Sequence, residues 1–165
     1  MKLVLFMIGL IFSLLAFASA SSDTALIRKA ILDTAEKIAH YETVDEAVGP
    51  GPILTAQFYR FEFLMNNATL SELILLTNNN SPNVRAYSFW ALAIRKYKRI
   101  NGILRQHLND TEKITLFVGC VKFPFTIRDF YLQVLSPDPT LIHLKGTTLT
   151  LKEIDFYRNN REVGR

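Results

Sequence analysis

From Thr24 to His40 the chain reads "TALIRKAILDTAEKIAH", which sets Ile27, Ile31, Ala35 and Ile38 on one face and keeps Lys29, Asp33, Glu36 and Lys37 off it. That spacing predicts an amphipathic helix. "EAVGPGP", Glu46 to Pro52, follows as an expected loop, since Pro and Gly break both regular structures. "ILTAQFYRFEFLMNN" fits two periods: Phe58, Phe61 and Met65 follow Leu54 at helical spacing, whereas Tyr59, Phe61 and Phe63 alternate. Its length, and the lack of β-branched residues after Thr55, favour a helix.

Helix-start signals recur beyond this point. "TLSE" from Thr69, "NDTE" from Asn109 and "TLKE" from Thr150 each place an N-cap residue three before a glutamate, and "TIRD" from Thr126 does so with aspartate. In a capping box the cap oxygen accepts an orphan backbone N–H and the glutamate returns to the cap's own N–H. Ser81-Pro82 supplies another start, with Pro at the first helical position. "KITLFVGCVKFPFTIRDFYLQVL", Lys113 to Leu135, crowds β-branched and aromatic residues around Gly119 and Pro124, so a short strand or irregular segment is expected near 116–123. "SPDPTLIHLKGTT" then reads as an extended connection, "LTLKEIDFYRNN" as a last helix and "REVGR" as a frayed end.

Two segments form a helix pair. "ATLSELILLTNN" turns Leu70, Leu73 and Leu76 inward, and after a polar link "SPNVRAYSFWAL" carries Val84, Ser88, Ala91 and Leu92, with Arg95 beyond them, on one face. Helices joined this tightly pack antiparallel. The pair resembles a HEAT repeat of the armadillo-like α-solenoid class, whose second helix carries Val-Arg-x-x-small-x-x-x-Leu. The run 57–96 is also similar to small secreted bacterial proteins with HEAT-like segments. The resemblance implies an all-α, short HEAT-like helical repeat domain of about six helices, with a degenerate second unit at "INGILRQHLNDTEKITLFVGC", and a protein partner. Where HEAT repeats commonly carry an aspartate that pairs with a neighbouring unit's arginine, this chain has Asn79. Arg85 is therefore expected to cap carbonyls or bind a local acid.

Compartment follows from the start of the chain. Met1-Lys2, the uncharged "LVLFMIGLIFSLLAF" and the small residues "ASA" ending at Ala20 match a secretory signal. The expected division is a signal peptide over 1–20 and one domain over 21–165, secreted or periplasmic. The chain's net charge of +4 is too mild to argue for nucleic acid.

Chemistry is sparse in the pattern. Cys120 is the lone cysteine and sits in "TLFVGCVKF", so it is expected to be a buried small hydrophobe without a disulfide. His40, His107 and His143 lie far apart with no ligand spacing, and no phosphate loop occurs, so no metal or cofactor is expected. Sequons at Asn67, Asn79 and Asn109 coincide with turns and caps.

Charge gives the best positional signal. Arg95, Lys96, Lys98, Arg99 and Arg105 fall in a stretch without an acid, whereas Asp23 to Glu46 holds six acids against three bases. Helix-dipole compensation and a solvated face account for such a run. Alternatively it docks an acidic partner. The contact residues expected on that second account are Arg95, Lys98 and Arg99, with Trp90 as an aromatic anchor if exposed. The leading functional expectation is a non-enzymatic protein-protein interaction module. The alternative is an envelope enzyme, or an enzyme accessory or inhibitor, with a pocket near Cys120.

Overall fold

The computed structural model describes residues 26–48 and 53–159. The expected signal segment, its cleavage point, the "GPGP" part of the first loop and the terminal "REVGR" lie outside the described residues. In chain order the elements are α1 (Lys29–Ala39), β1 (Val44–Val48), β2 (Ile53–Leu54), α2 (Ala56–Asn67), α3 (Leu70–Leu76), α4 (Pro82–Ile94), α5 (Ile100–Gln106), β3 (Lys113–Gly119), β4 (Val121–Thr126), α6 (Ile127–Leu135) and α7 (Leu151–Asn159).

The all-α expectation is corrected by the sheet. Its strands run in the order β2-β1-β3-β4, with β1 parallel to β3 and the outer pairs antiparallel, so the chain is mixed α/β rather than a short HEAT-like helical repeat domain. The physical reason lies in two segments. Glu46 to Val48, expected as loop, continues β1, and "KITLFVGCVKFPFT" folds as a hairpin whose Ile114 and Leu116 are buried on one face. Gly119, with φ of 56°, begins the two-residue turn between the paired Val118 and Val121. A glycine at the first central position matches the right-handed twist of paired strands. The hairpin takes the place of the second half of the degenerate unit expected over 100–120, whose first half is α5.

Capping chemistry separates the true helix starts from the false one. Thr69 and Glu72 form the reciprocal box at α3, and Thr150 and Glu153 form it at α7. Thr126 caps α6 by accepting the Asp129 N–H. "NDTE" makes no helix: Asp110 accepts the Glu112 N–H and the chain turns into β3, because the β-branched and aromatic residues that follow suit a strand.

At the centre lies α4, buried from Asn83 through Ala93. Phe61 stacks on Trp90 at 4.5 Å and on Tyr87 at 4.9 Å, and Phe89 stacks on Tyr131 at 3.7 Å. The extended segment between α6 and α7 straps this core through its backbone. Trp90 Nε1–H donates to the Leu144 carbonyl at 2.8 Å, Thr147 N–H to Ala93 at 2.8 Å, and Leu149 N–H to Leu135 at 2.8 Å. Buried Glu46 receives the N–H groups of His143 and Leu144 at 2.8 and 3.0 Å. Gly146 permits the approach, since a Cβ there falls 2.1 Å from the Ala93 oxygen. Gly146→Ala should therefore destabilise the fold by about 1–3 kcal/mol, read as a lower denaturant midpoint.

Glu72 links α1 to α3. Its Oε1 accepts from Arg28 N and Nε at 3.0 and 2.9 Å, while Oε2 accepts from Arg28 Nη2 at 2.8 Å and Thr69 N–H at 2.7 Å. These bonds, the Arg28 side chain first, hold the carboxyl well below the usual range despite its burial. A depressed folded value means that this stabilisation is full above the unfolded value of about 4.3 and is lost as pH falls toward the folded one. Glu72→Gln should cost about 1–3 kcal/mol at neutral pH. Urea titrations should show the gap closing below about pH 4; a gap unchanged down to about pH 2 contradicts the assignment.

Candidate functional site

The basic surface is built on the end of α4. Arg95 is the C-cap residue, Lys96 N–H donates to the Ala93 carbonyl at 3.0 Å and Tyr97 N–H to Leu92 at 3.0 Å. This is the Schellman pattern, which calls for a left-handed residue and usually takes glycine. Here Lys96 fills it, with φ of 54°. Tyr97 turns back against the core, which fixes the loop and leaves Lys96, Lys98 and Arg99 exposed around it.

The helix dipole explains only part of this charge. Arg95 and Lys96 follow the C-terminus of α4, and Arg105 lies in the last turn of α5, where cations are favoured. Arg99, however, is the N-cap of α5, where a cation is disfavoured and Ser, Thr, Asp or Asn would satisfy an orphan N–H. Among the described residues none of Arg95, Lys96, Lys98, Arg99 or Arg105 lies within ion-pair distance of an acid. Arg95 spends part of its guanidinium on the Ala68 carbonyl.

The expected site residues part company here. Arg95, Lys98 and Arg99 share one surface turn, whereas Trp90 is fully buried in the aromatic stack and offers no exposed anchor. Arg85 both caps and pairs: it donates to the Asn79 and Asn80 carbonyls at 2.8 and 3.1 Å, and lies 3.1 Å from Asp110 and 3.2 Å from Glu112. Sequence reading did not single out Lys96's left-handed backbone or Arg99's place at a helix start. Both are properties of the turn and leave no composition signal.

The groups considered for catalysis are dispersed. Cys120, expected to be buried, is exposed at the hairpin tip, because the two-residue turn must project its side chain from the sheet end. His40 ends α1, with Nδ1 2.7 Å from the Glu36 carbonyl. His107 follows α5, 3.3 Å from Asp110, and burial pushes its pKa down. His143 lies on the strap, 3.0 Å from Glu46. No hydrogen bond joins Cys120 to a histidine among the described residues. Lys145 is half-buried and donates to the Gln133 carbonyl at 2.8 Å; burial brings its pKa down to about 8.

Fold and site together define a small mixed α/β domain that displays a basic turn. Comparison with protein-family models, with curated proteins and with solved structures gives no match.

In the native protein Cys120 should react with a thiol reagent stoichiometrically and without prior unfolding, which absorbance of the released thiolate follows. Labelling that appears only in denaturant contradicts the exposed hairpin tip.

Proposed function

We propose that the chain is a secreted or periplasmic, non-enzymatic binding module that docks an acidic protein partner through the turn between α4 and α5. The observation that carries this reading is the placement of cations where local physics disfavours them: Lys96 in a left-handed backbone position and Arg99 at a helix N-cap. A solvated basic face has no need of either position. The turn is also well suited to steering, since its charges are exposed and, among the described residues, no acid lies within ion-pair distance of them.

The test uses residues 21–165, with Lys98 and Arg99 both changed to Glu, and quantitative capture from the compartment followed by titration of the captured partner. The charge-reversed protein should melt as wild type and bind the partner at least about tenfold more weakly, and wild-type affinity should fall with salt. Lys96→Gly separates strain from recognition: it should raise stability by about 1 kcal/mol while weakening binding. Equal binding by the charge-reversed protein overturns the proposal. So does substrate turnover that is lost on mutation of Cys120 or a histidine.

A further inference from the structure

We infer that a cleft on the sheet, distant in sequence from the basic turn, binds a small zwitterion: an ammonium and a carboxylate joined by an apolar body, as in an amino acid or a dipeptide. The cleft has a volume of about 440 Å³ and is lined by His40, Tyr41, Glu42, Thr43, Asp45, Thr55, Phe117 and Lys122. That size falls within the range of small-molecule sites.

Strand register builds its floor. Asp45 is paired with Phe117, and Phe117 with Lys122, so the three stand in one row across β1, β3 and β4. Side chains alternate along a strand, which puts this row on the face opposite Val44 and Leu116 of the core. The β1–β3 pairing shifts register between Asp45 and Val48. Such irregularities re-aim side chains and concentrate beside functional sites.

Asp45 supplies the independent observation. It is 2% exposed, yet no cation lies within ion-pair distance of it among the described residues. Its Oδ2 accepts from Thr55 Oγ1 at 2.7 Å, and its Oδ1 has no hydrogen-bond partner among the described residues. Its backbone N–H and carbonyl are both engaged by the Tyr87 hydroxyl, at 2.6 and 3.0 Å, so the residue is held firmly without its carboxylate being satisfied. A buried carboxylate in that state is costly, and a bound ammonium supplies the missing donor and charge.

The rest of the row fits the rest of the ligand. Phe117 and Tyr41 offer aromatic surface for an apolar body, and Arg60 stacks over the Tyr41 ring at 5.0 Å and braces it. The Lys122 ammonium sits 5.7 Å from the Phe117 ring centre, at the far end of the row, where it meets an anionic group. His40 stands on the rim with its Nδ1–H donated to the Glu36 carbonyl, which leaves Nε2 of the neutral ring as an acceptor for the ligand's ammonium. With strands about 4.8 Å apart, the span from Asp45 to Lys122 is about 10 Å between Cα atoms, which a short zwitterion bridges with the lysine side chain leaning inward.

Titration calorimetry on the purified protein tests this with four probes: phenylalanine, phenylalanyl-glycine, phenethylamine, which lacks the carboxylate, and phenylpropionate, which lacks the amine. At least one zwitterion should bind at millimolar concentration, each single-ended probe more weakly, and the tighter zwitterion defines the ligand's length. Asp45→Asn, which keeps the Thr55 contact, should weaken the zwitterion and phenethylamine by about tenfold or more. Lys122→Met, at an exposed position that does not endanger folding, should do so for the zwitterion and phenylpropionate. The inference is overturned if neither zwitterion binds, if both variants bind it as wild type does, or if a single-ended probe equals it.

Discussion

Helix α4 turns no face to water. Every residue from Asn83 to Ala93 is buried, including Asn83, Arg85 and Ser88, so covering it on all sides is the condition that the rest of the chain must meet. One helical layer covers one face, and a second layer covers another. What remains is closed by the sheet and by the strap, whose backbone bonds to Trp90 and Ala93 satisfy groups that α4 and its aromatic stack leave exposed. Polar side chains on such a helix must find partners within the protein, and they do: Ser88 donates to Val84, Asn83 to Tyr41, and Arg85 to two carbonyls beside its acids.

Arg85 marks where the chain departs from the helical repeat that its sequence led us to expect. In a solenoid the arginine of one unit pairs with an acid of the next, and the stack continues. Here its acids are Asp110 and Glu112, which belong to the turn entering β3. The residue that would join repeats instead fastens the helix pair to a hairpin. Tyr131 completes the join by donating its hydroxyl to the Arg85 carbonyl from α6.

The sequence is legible where its signal is local. Periodicity placed α1 and α2, and the boxes at Thr69 and Thr150 mark real helix starts, because each depends on residues within one turn of one another. "NDTE" carries the same letters and fails, since the strand-forming run behind it decides the outcome. The parallel pairing of Val44 with Leu116 was beyond reach: it joins segments separated by five helices or strands, and nothing in either segment names the other. Likewise the basic run could be read as composition, but the backbone of Lys96 could not. Asp45 was invisible for a different reason, since what distinguishes it is a partner that the fold withholds.

The two surfaces rest on the same core in opposite senses. A left-handed lysine costs on the order of 1–2 kcal/mol, and a buried carboxylate short of a donor costs about as much or more. Neither persists unless its surroundings hold it in place. Lys96 is held by an α4 terminus that is buried through Ala93 and by Tyr97 packed behind it. Asp45 is held by Tyr87, itself a buried α4 residue, whose hydroxyl stands where a neighbouring strand would have supplied backbone partners, because β2 pairs only with Ala47 and Val48. The enclosed helix is therefore the element that sets both positions. At the turn it sets exposed cations outward, and at the sheet it fixes a carboxylate short of a donor on the cleft.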